Sequence, residues 1–125
     1  MEAIHRRFRG RAGVVFVYIA EAHAVDERQM QANLDEGVLV AQHRTLDDRF
    51  AAAREGVRRL GLTLLVLVDG MDDAASHAFA AWPERLYVAD REGRIAYVGG
   101  PGPFEFDPDG AAAVLAGLVA GRPAR

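Results

Sequence analysis

Apolar positions along the chain change period several times, and each change marks an element. Val14-Val15-Phe16-Val17-Tyr18-Ile19 is a continuous run of β-branched and aromatic residues. With no polar alternation, such a run predicts a strand covered on both faces, the kind found near the centre of a parallel sheet between helical layers. Leu62 to Val68 is a second run of this type and ends at Asp69-Gly70. Between the two, Leu46, Phe50, Ala53, Val57 and Leu60 recur at helical spacing. Thr45 with Asp48 three residues on comes close to a capping box, acids open the helix, Arg58-Arg59 end it and Gly61 supplies the stop. Strand, helix and strand in this order form a βαβ unit, whose crossover is expected to be right-handed.

The flanking segments are shorter. Met1, Ile4 and Phe8 stand at helical spacing before Gly10, so the chain opens in an amphipathic helix whose Arg6, Arg7 and Arg9, with Arg11 just beyond, form a solvated face or a patch for an acidic partner. Asp26 is placed to cap a short helix with Met30 and Leu34 on its buried side, and Val38-Leu39-Val40 reads as a short extended piece. Met71, Ala75, Ala78 and Trp82 predict a short helix packed on the sheet. Arg85–Ala89 and Arg94–Val98 flank Asp90-Arg91-Glu92-Gly93, an antiparallel hairpin with glycine at the positive-φ position. Asp107-Pro108 opens a last helix that buries Val114, Leu115, Leu118 and Val119. No repeat or linker is visible, so residues 1–125 are expected to form one α/β domain.

Composition narrows the function classes. Half of the residues are hydrophobic and the net charge is −3, which gives no reason to expect nucleic acid or an anionic membrane as a partner. The apolar runs are strand length, far short of the roughly 20 residues that span a bilayer, and the N-terminus lacks the pattern of a signal peptide, so a cytoplasmic location is expected. Zero cysteines exclude disulfides, thiolate metal sites and cysteine-based catalysis within these residues.

Candidate chemistry gathers after the first strand, because the carboxyl ends of strands in open α/β sheets face the ligand crevice. Tyr18, Glu21 and His23 bring a hydroxyl, a carboxylate and an imidazole there. Glu21 and His23 are two apart in an extended segment, so both can point to one side, the imidazole delivering a proton and the carboxylate orienting it. His43 precedes the capped helix, whose positive end disfavours imidazolium. His23, His43, Glu21 and Glu84 offer metal-ligand chemistry, but no H-x-x-x-H or similar spacing supports it, and no metal is expected.

Several stretches together resemble the iodothyronine deiodinases, thioredoxin-fold selenoenzymes. Tyr18-Ile19-Ala20-Glu21-Ala22-His23 is similar to their Y-I-x-E-A-H signature, and Gln42-His43-Arg44-Thr45-Leu46-Asp47-Asp48-Arg49 to their Q-H-R-[ST]-L-[ED]-D-R block. Pro83-Glu84-Arg85-Leu86-Tyr87-Val88 and Gly93-Arg94-Ile95-Ala96-Tyr97-Val98-Gly99-Gly100 follow in the family's order. The resemblance implies a thioredoxin-like (peroxiredoxin-like) sheet flanked by helices, and reductive removal of iodide from an iodinated phenol with a thiol as reductant and no bound cofactor. It implies that His23 protonates the product carbon or helps bind the phenol, that His43 binds substrate, that Glu84 relays protons and that Tyr18 stands near the selenium site. For Tyr18 a core aromatic is the alternative, and for Glu84 a solvent-facing carboxylate paired with Arg85 or Arg44. Pro101 occupies the position where much of the family has an arginine for the ligand's carboxylate.

The family's first strand and its selenocysteine loop have no counterpart here, so the sheet is expected to carry an open slot. Either another segment or a second copy fills the slot, giving a homodimer, or the gene product starts upstream of Met1. As written the chain is expected not to turn over. The alternatives are a non-catalytic module that binds an aromatic or halogenated phenolic ligand, and the C-terminal part of a peroxiredoxin-like thiol enzyme.

Overall fold

The structure, a computed structural model, describes residues 1–121. Its elements run α1 (Glu2–Phe8), β1 (Val15–Tyr18), α2 (Gln31–Asp35), α3 (Leu46–Leu60), β2 (Leu65–Val68), α4 (Ala74–Ala78), β3 (Tyr87–Ala89), β4 (Ile95–Val98) and α5 (Pro108–Val119). The mixed α/β class is therefore as expected. These elements fall into two compact units, one of residues Val15–Ala78 and one of Met1–Val14 with the chain from Phe79 onward.

In the first unit β1 and β2 pair in parallel, from Val15 opposite Leu65 to Tyr18 opposite Val68. Asp69 N–H donates to the Tyr18 carbonyl at 2.9 Å, so the ladder continues to the carboxyl ends of both strands. Burial differs from expectation. Val15, Phe16, Val17, Leu65 and Leu67 are all exposed, because among the described residues the sheet of this unit has only two strands. A two-stranded ribbon cannot bury a continuous apolar run on both faces.

The predicted capping box of α3 is formed in full. Thr45 Oγ1 accepts from Asp48 N–H at 3.1 Å, while the Asp48 carboxylate accepts from the N–H groups of Thr45 at 2.9 Å and Arg44 at 3.1 Å. Gly61 ends the helix at φ 60°. The buried line, however, runs through Arg49 and Ala53, and Leu46, Phe50 and Leu60 are exposed. Ala53 is common to both lines, and the change from Phe50 to Arg49 shifts the centre of the buried face by about 40°. The cause is polar: Arg49 is only 2% exposed, and its Nη1 donates to the carbonyl of Gly70 at 2.6 Å and to the Asp73 carboxylate at 2.8 Å, with the Asp69 carbonyl at 3.4 Å.

Two shorter expectations need correction. Asp26 does not cap a helix: α2 begins downstream with Met30 as its uncapped N-cap, Met30 and Leu34 are exposed, and Asp26 Oδ1 instead accepts from Gln42 N–H at 2.8 Å. The helix expected between Met71 and Trp82 is confined to α4. Its first turn is held by the buried Asp69 carboxylate, which accepts from the N–H groups of Gly70, Ala75 and Ser76 at 2.8–3.0 Å. Burial alone would raise this carboxyl's pKa, but the three N–H donors hold it below the ordinary range.

The second unit follows the sequence more closely. Phe8 is fully buried, with the guanidinium groups of Arg7 and Arg11 at 5.1 and 5.4 Å from its ring centroid. β3 and β4 are antiparallel, with an irregularity after Val88. Their turn is closed by Asp90 Oδ1, which accepts from Glu92 and Arg94 N–H, and by Gly93 at φ 80°. Asp107 caps α5 through Gly110 N–H at 2.9 Å, and α5 packs on β3 and β4, but its buried residues are Ala111 and Ala112, while the expected Val114, Leu115, Leu118 and Val119 are half-buried.

Two outcomes test these assignments. Thr45→Ala is expected to lower unfolding free energy by about 1 kcal/mol in urea titrations, with Thr45→Ser near wild type. Arg49→Leu strips the donor from a buried carbonyl and from Asp73, and its expected cost is about 3 kcal/mol; a loss no larger than that of Thr45→Ala would show that the guanidinium does not hold α3 to β2.

Candidate functional site

The carboxyl end of β1 is where the unit of Val15–Ala78 concentrates its polar side chains. Tyr18 is the last residue of the strand, and its hydroxyl donates to Glu21 Oε1 across the turn that follows. Partial burial of the phenol, then the adjacent Glu21 carboxylate as acceptor and as charge, push its pKa well above the ordinary range. The hydroxyl therefore stays protonated and points its hydrogen at Glu21.

Glu21 lies beyond the last ladder pair of β1, so its backbone must find other partners. The Gln42 side-chain amide supplies them. Gln42 Oε1 accepts from Glu21 N–H at 3.3 Å and Nε2 donates to the Glu21 carbonyl at 3.0 Å.

His43 is the next residue, 7% exposed, with its ring centroid 5.5 Å from that of Tyr18 and the planes tilted by 51°. Both of its ring nitrogens are buried without a hydrogen-bond partner among the described residues. Removal from water pushes the imidazole pKa below its ordinary value, and Arg49 acts in the same direction; Glu21, Asp48 and Asp73 oppose with smaller effect. The neutral ring was expected from the helix start, but its main cause is burial. A neutral imidazole with an unpartnered nitrogen is a hydrogen-bond acceptor, set beside a phenol and a carboxylate.

His23 is placed differently from the sequence expectation of a Glu21–His23 pair. Glu21 is engaged by Tyr18, and His23 Nδ1 lies 3.1 Å from the Arg28 carbonyl. A carbonyl only accepts, so Nδ1 carries the hydrogen and Nε2 is left as the acceptor nitrogen of the ring. Glu84 belongs to the other unit. Its exposed side chain lies over Gly102, where any Cβ would overlap the carboxylate, and its carbonyl accepts from Gly102 N–H at 3.0 Å. Of the two suggested arginines, Arg85 donates to the carbonyls of Gly99 at 2.8 Å and Ala80 at 3.3 Å, and Arg44 stands 4.0 Å from Asp26. The Trp82–Pro83 bond ahead of Glu84 is cis.

Gln42 and Arg49 were not singled out from the sequence as site residues. Both lie in the block Gln42–Arg49, and the signal for Arg49 was its position one helical turn before Ala53. Among the described residues no three His, Cys, Asp or Glu side chains gather as a metal site, and no helix is long and apolar enough to cross a membrane.

The buried imidazole gives a pH dependence with a definite sign. The unfolded chain takes up a proton at His43 near the ordinary value of 6.5, whereas the folded chain resists until lower pH. Stability contributed by the neutral ring is thus complete above about pH 6.5 and is lost as pH falls through that value towards the folded pKa. Melting temperatures of wild type and His43→Gln between pH 5 and 8 are expected to show a smaller acid-side fall in the variant; equal slopes would place His43 in contact with water.

Comparison with known proteins bears on the whole chain. The family model for iodothyronine deiodinase matches residues 2–118. Type I iodothyronine deiodinase of Xenopus laevis is 38% identical over 108 residues, 86% of this chain and 40% of that protein. The type II enzymes of Rattus norvegicus and Homo sapiens are 35% and 34% identical over 102 residues, 80% of this chain and 38% and 37% of those proteins. The chain thus spans about two fifths of the length of these relatives. With the match running from the first helix through β1, Gln42–Arg49 and the hairpin to the last helix, the chain belongs to the iodothyronine deiodinase family, whose fold is thioredoxin-like.

Proposed function

We propose that the cluster at the end of β1 binds an iodinated phenol, and that these 125 residues supply the ligand-side and proton-handling part of reductive deiodination without its nucleophile. The relatives are named for acting on iodothyronines, which are iodinated phenols. The observation that carries the proposal is His43: a buried, neutral imidazole with both nitrogens unpartnered among the described residues, beside the Tyr18–Glu21 pair. An unpaired buried polar group is costly, and a phenol hydroxyl made acidic by its iodine substituents is a fitting donor for it.

In the family's chemistry a selenolate or thiolate attacks iodine. The chalcogen takes the iodine, the carbon–iodine electron pair stays on carbon, and a proton completes the C–H bond. Two thiols then release iodide and return the chalcogen to its reduced state, leaving a disulfide. His43 would hold the phenol oxygen, Glu21 and Tyr18 would hold and pass a proton next to it, and His23 Nε2 would be the mobile acid. Glu84 is the remaining inherited carboxylate. The sequence contains no cysteine, so the attacking group must come from outside these residues. The family's ligand-carboxylate arginine is replaced by Pro101, which favours a simple halogenated phenol over an amino-acid-like one.

A second proposal rests on β1. Its edge away from β2 has no strand paired to it among the described residues, and Val15, Phe16 and Val17 are exposed. Strand addition by a second copy would cover both. Sedimentation over a hundredfold concentration range is expected to show dimers that a proline at Phe16 abolishes.

The leading proposal is tested with 2,6-diiodophenol. At one hundred times its Kd the ligand is expected to stabilise the chain by about 2.7 kcal/mol, read as a raised melting temperature, and His43→Gln to remove the effect. No iodide release is expected with dithiothreitol. Absence of any thermal shift would remove the binding role, and iodide release faster than with dithiothreitol alone would show that these residues promote deiodination without a nucleophile of their own.

A further inference from the structure

Gln42 bonds to more separate parts of the first unit than any other uncharged side chain near the site. Its amide oxygen accepts from Glu21 N–H and from His43 N–H, both at 3.3 Å. Its amide nitrogen donates to the Glu21 carbonyl at 3.0 Å and to Glu27 Oε2 at 3.3 Å, while its backbone N–H donates to Asp26 Oδ1 at 2.8 Å. The two bonds to Glu21 satisfy both backbone groups of one residue, as a neighbouring strand would. Glu21 stands just past the point where the β1–β2 ladder stops, and among the described residues no strand pairs with it.

We propose that Gln42 is a positioning residue of the site: one side-chain amide ties the backbone of Glu21 to the backbone of His43 and so sets the spacing of carboxylate, phenol and imidazole. Its hydrogen bonds at the site go to the main chain of Glu21 and His43. Its effect passes through the main chain, which determines where the Glu21 carboxylate meets the Tyr18 hydroxyl and where the His43 ring meets the Tyr18 ring. An amide is required because the site asks for a donor and an acceptor on one planar group; a carboxylate would set lone pairs against the Glu21 carbonyl and against Glu27. The inference deepens the phenol-binding proposal and rests on it for its functional meaning, but its geometry is testable without any ligand.

Gln42→Ala and the near-isosteric Gln42→Met are compared with wild type in chains carrying 13C-labelled tyrosine, with Tyr18 assigned through Tyr18→Phe. In wild type the Tyr18 signal is expected to stay unchanged up to about pH 11, above the ordinary tyrosine value of about 10. In either variant the freed Glu21 loop should bring its titration into that range, and affinity for 2,6-diiodophenol should fall about tenfold. A lower melting temperature with Tyr18 titrating as in wild type would overturn the proposal, since Gln42 would then be structural only. Unchanged 2,6-diiodophenol affinity alongside an altered Tyr18 titration would overturn its functional part. If wild type binds no diiodophenol while the Tyr18 signal still responds to Gln42→Met, the binding role fails and the positioning role of Gln42 stands.

Discussion

A guanidinium sealed from water has to be given oxygen acceptors, and the demands of Arg49 organise the first unit. Its acceptors are the carbonyls of Asp69 and Gly70 and the Asp73 carboxylate, all at or just beyond the carboxyl end of β2. Meeting them through Nη1, with Nε left buried without a partner among the described residues, places the first turn of α3 against that strand end and turns the helix so that Arg49 and Ala53, not Leu46 and Phe50, face inward. Breaking such a buried set costs far more than an exposed ion pair, because the charge left behind has no water to return to.

The site inherits its position from this anchor. Asp69 receives Arg49 through its carbonyl, donates its N–H to the Tyr18 carbonyl and caps α4 with its carboxylate. One residue thereby joins α3, the end of β1 and α4. His43 and Gln42 precede α3 directly, so fixing the start of that helix brings the imidazole to the Tyr18 ring and the amide to the Glu21 backbone. The chemistry of the cluster follows from this placement: a phenol kept protonated, a carboxylate accepting from it and an imidazole kept neutral by lack of water.

Local signals were legible where a few adjacent residues satisfy one another. The Thr45–Asp48 box, Gly61 at positive φ, the Asp90–Gly93 turn and the Asp107-Pro108 helix start all form as the sequence implies, since each closes its hydrogen bonds within a handful of residues. The family motifs were equally legible, and they ran in the family's order across most of the chain. Less legible were burial and pairing. The apolar run of β1 looked like a strand enclosed on both faces, but enclosure depends on neighbours, and the sheet of this unit provides one partner among the described residues.

The sequence by itself determined the alternation of strands and helices, the caps and turns that bound them, the identity of Tyr18, Glu21, His23, His43 and Glu84 as candidate groups, and the lack of a cysteine nucleophile. Only the tertiary structure decided that His43 is buried without a partner among the described residues, and that Arg49 and Gln42 hold the frame. The division has a physical reason. Caps and turns are settled by bonds between residues close in sequence, whereas burial, desolvation and the partners of long polar side chains are set by residues some twenty positions away, which no local pattern specifies.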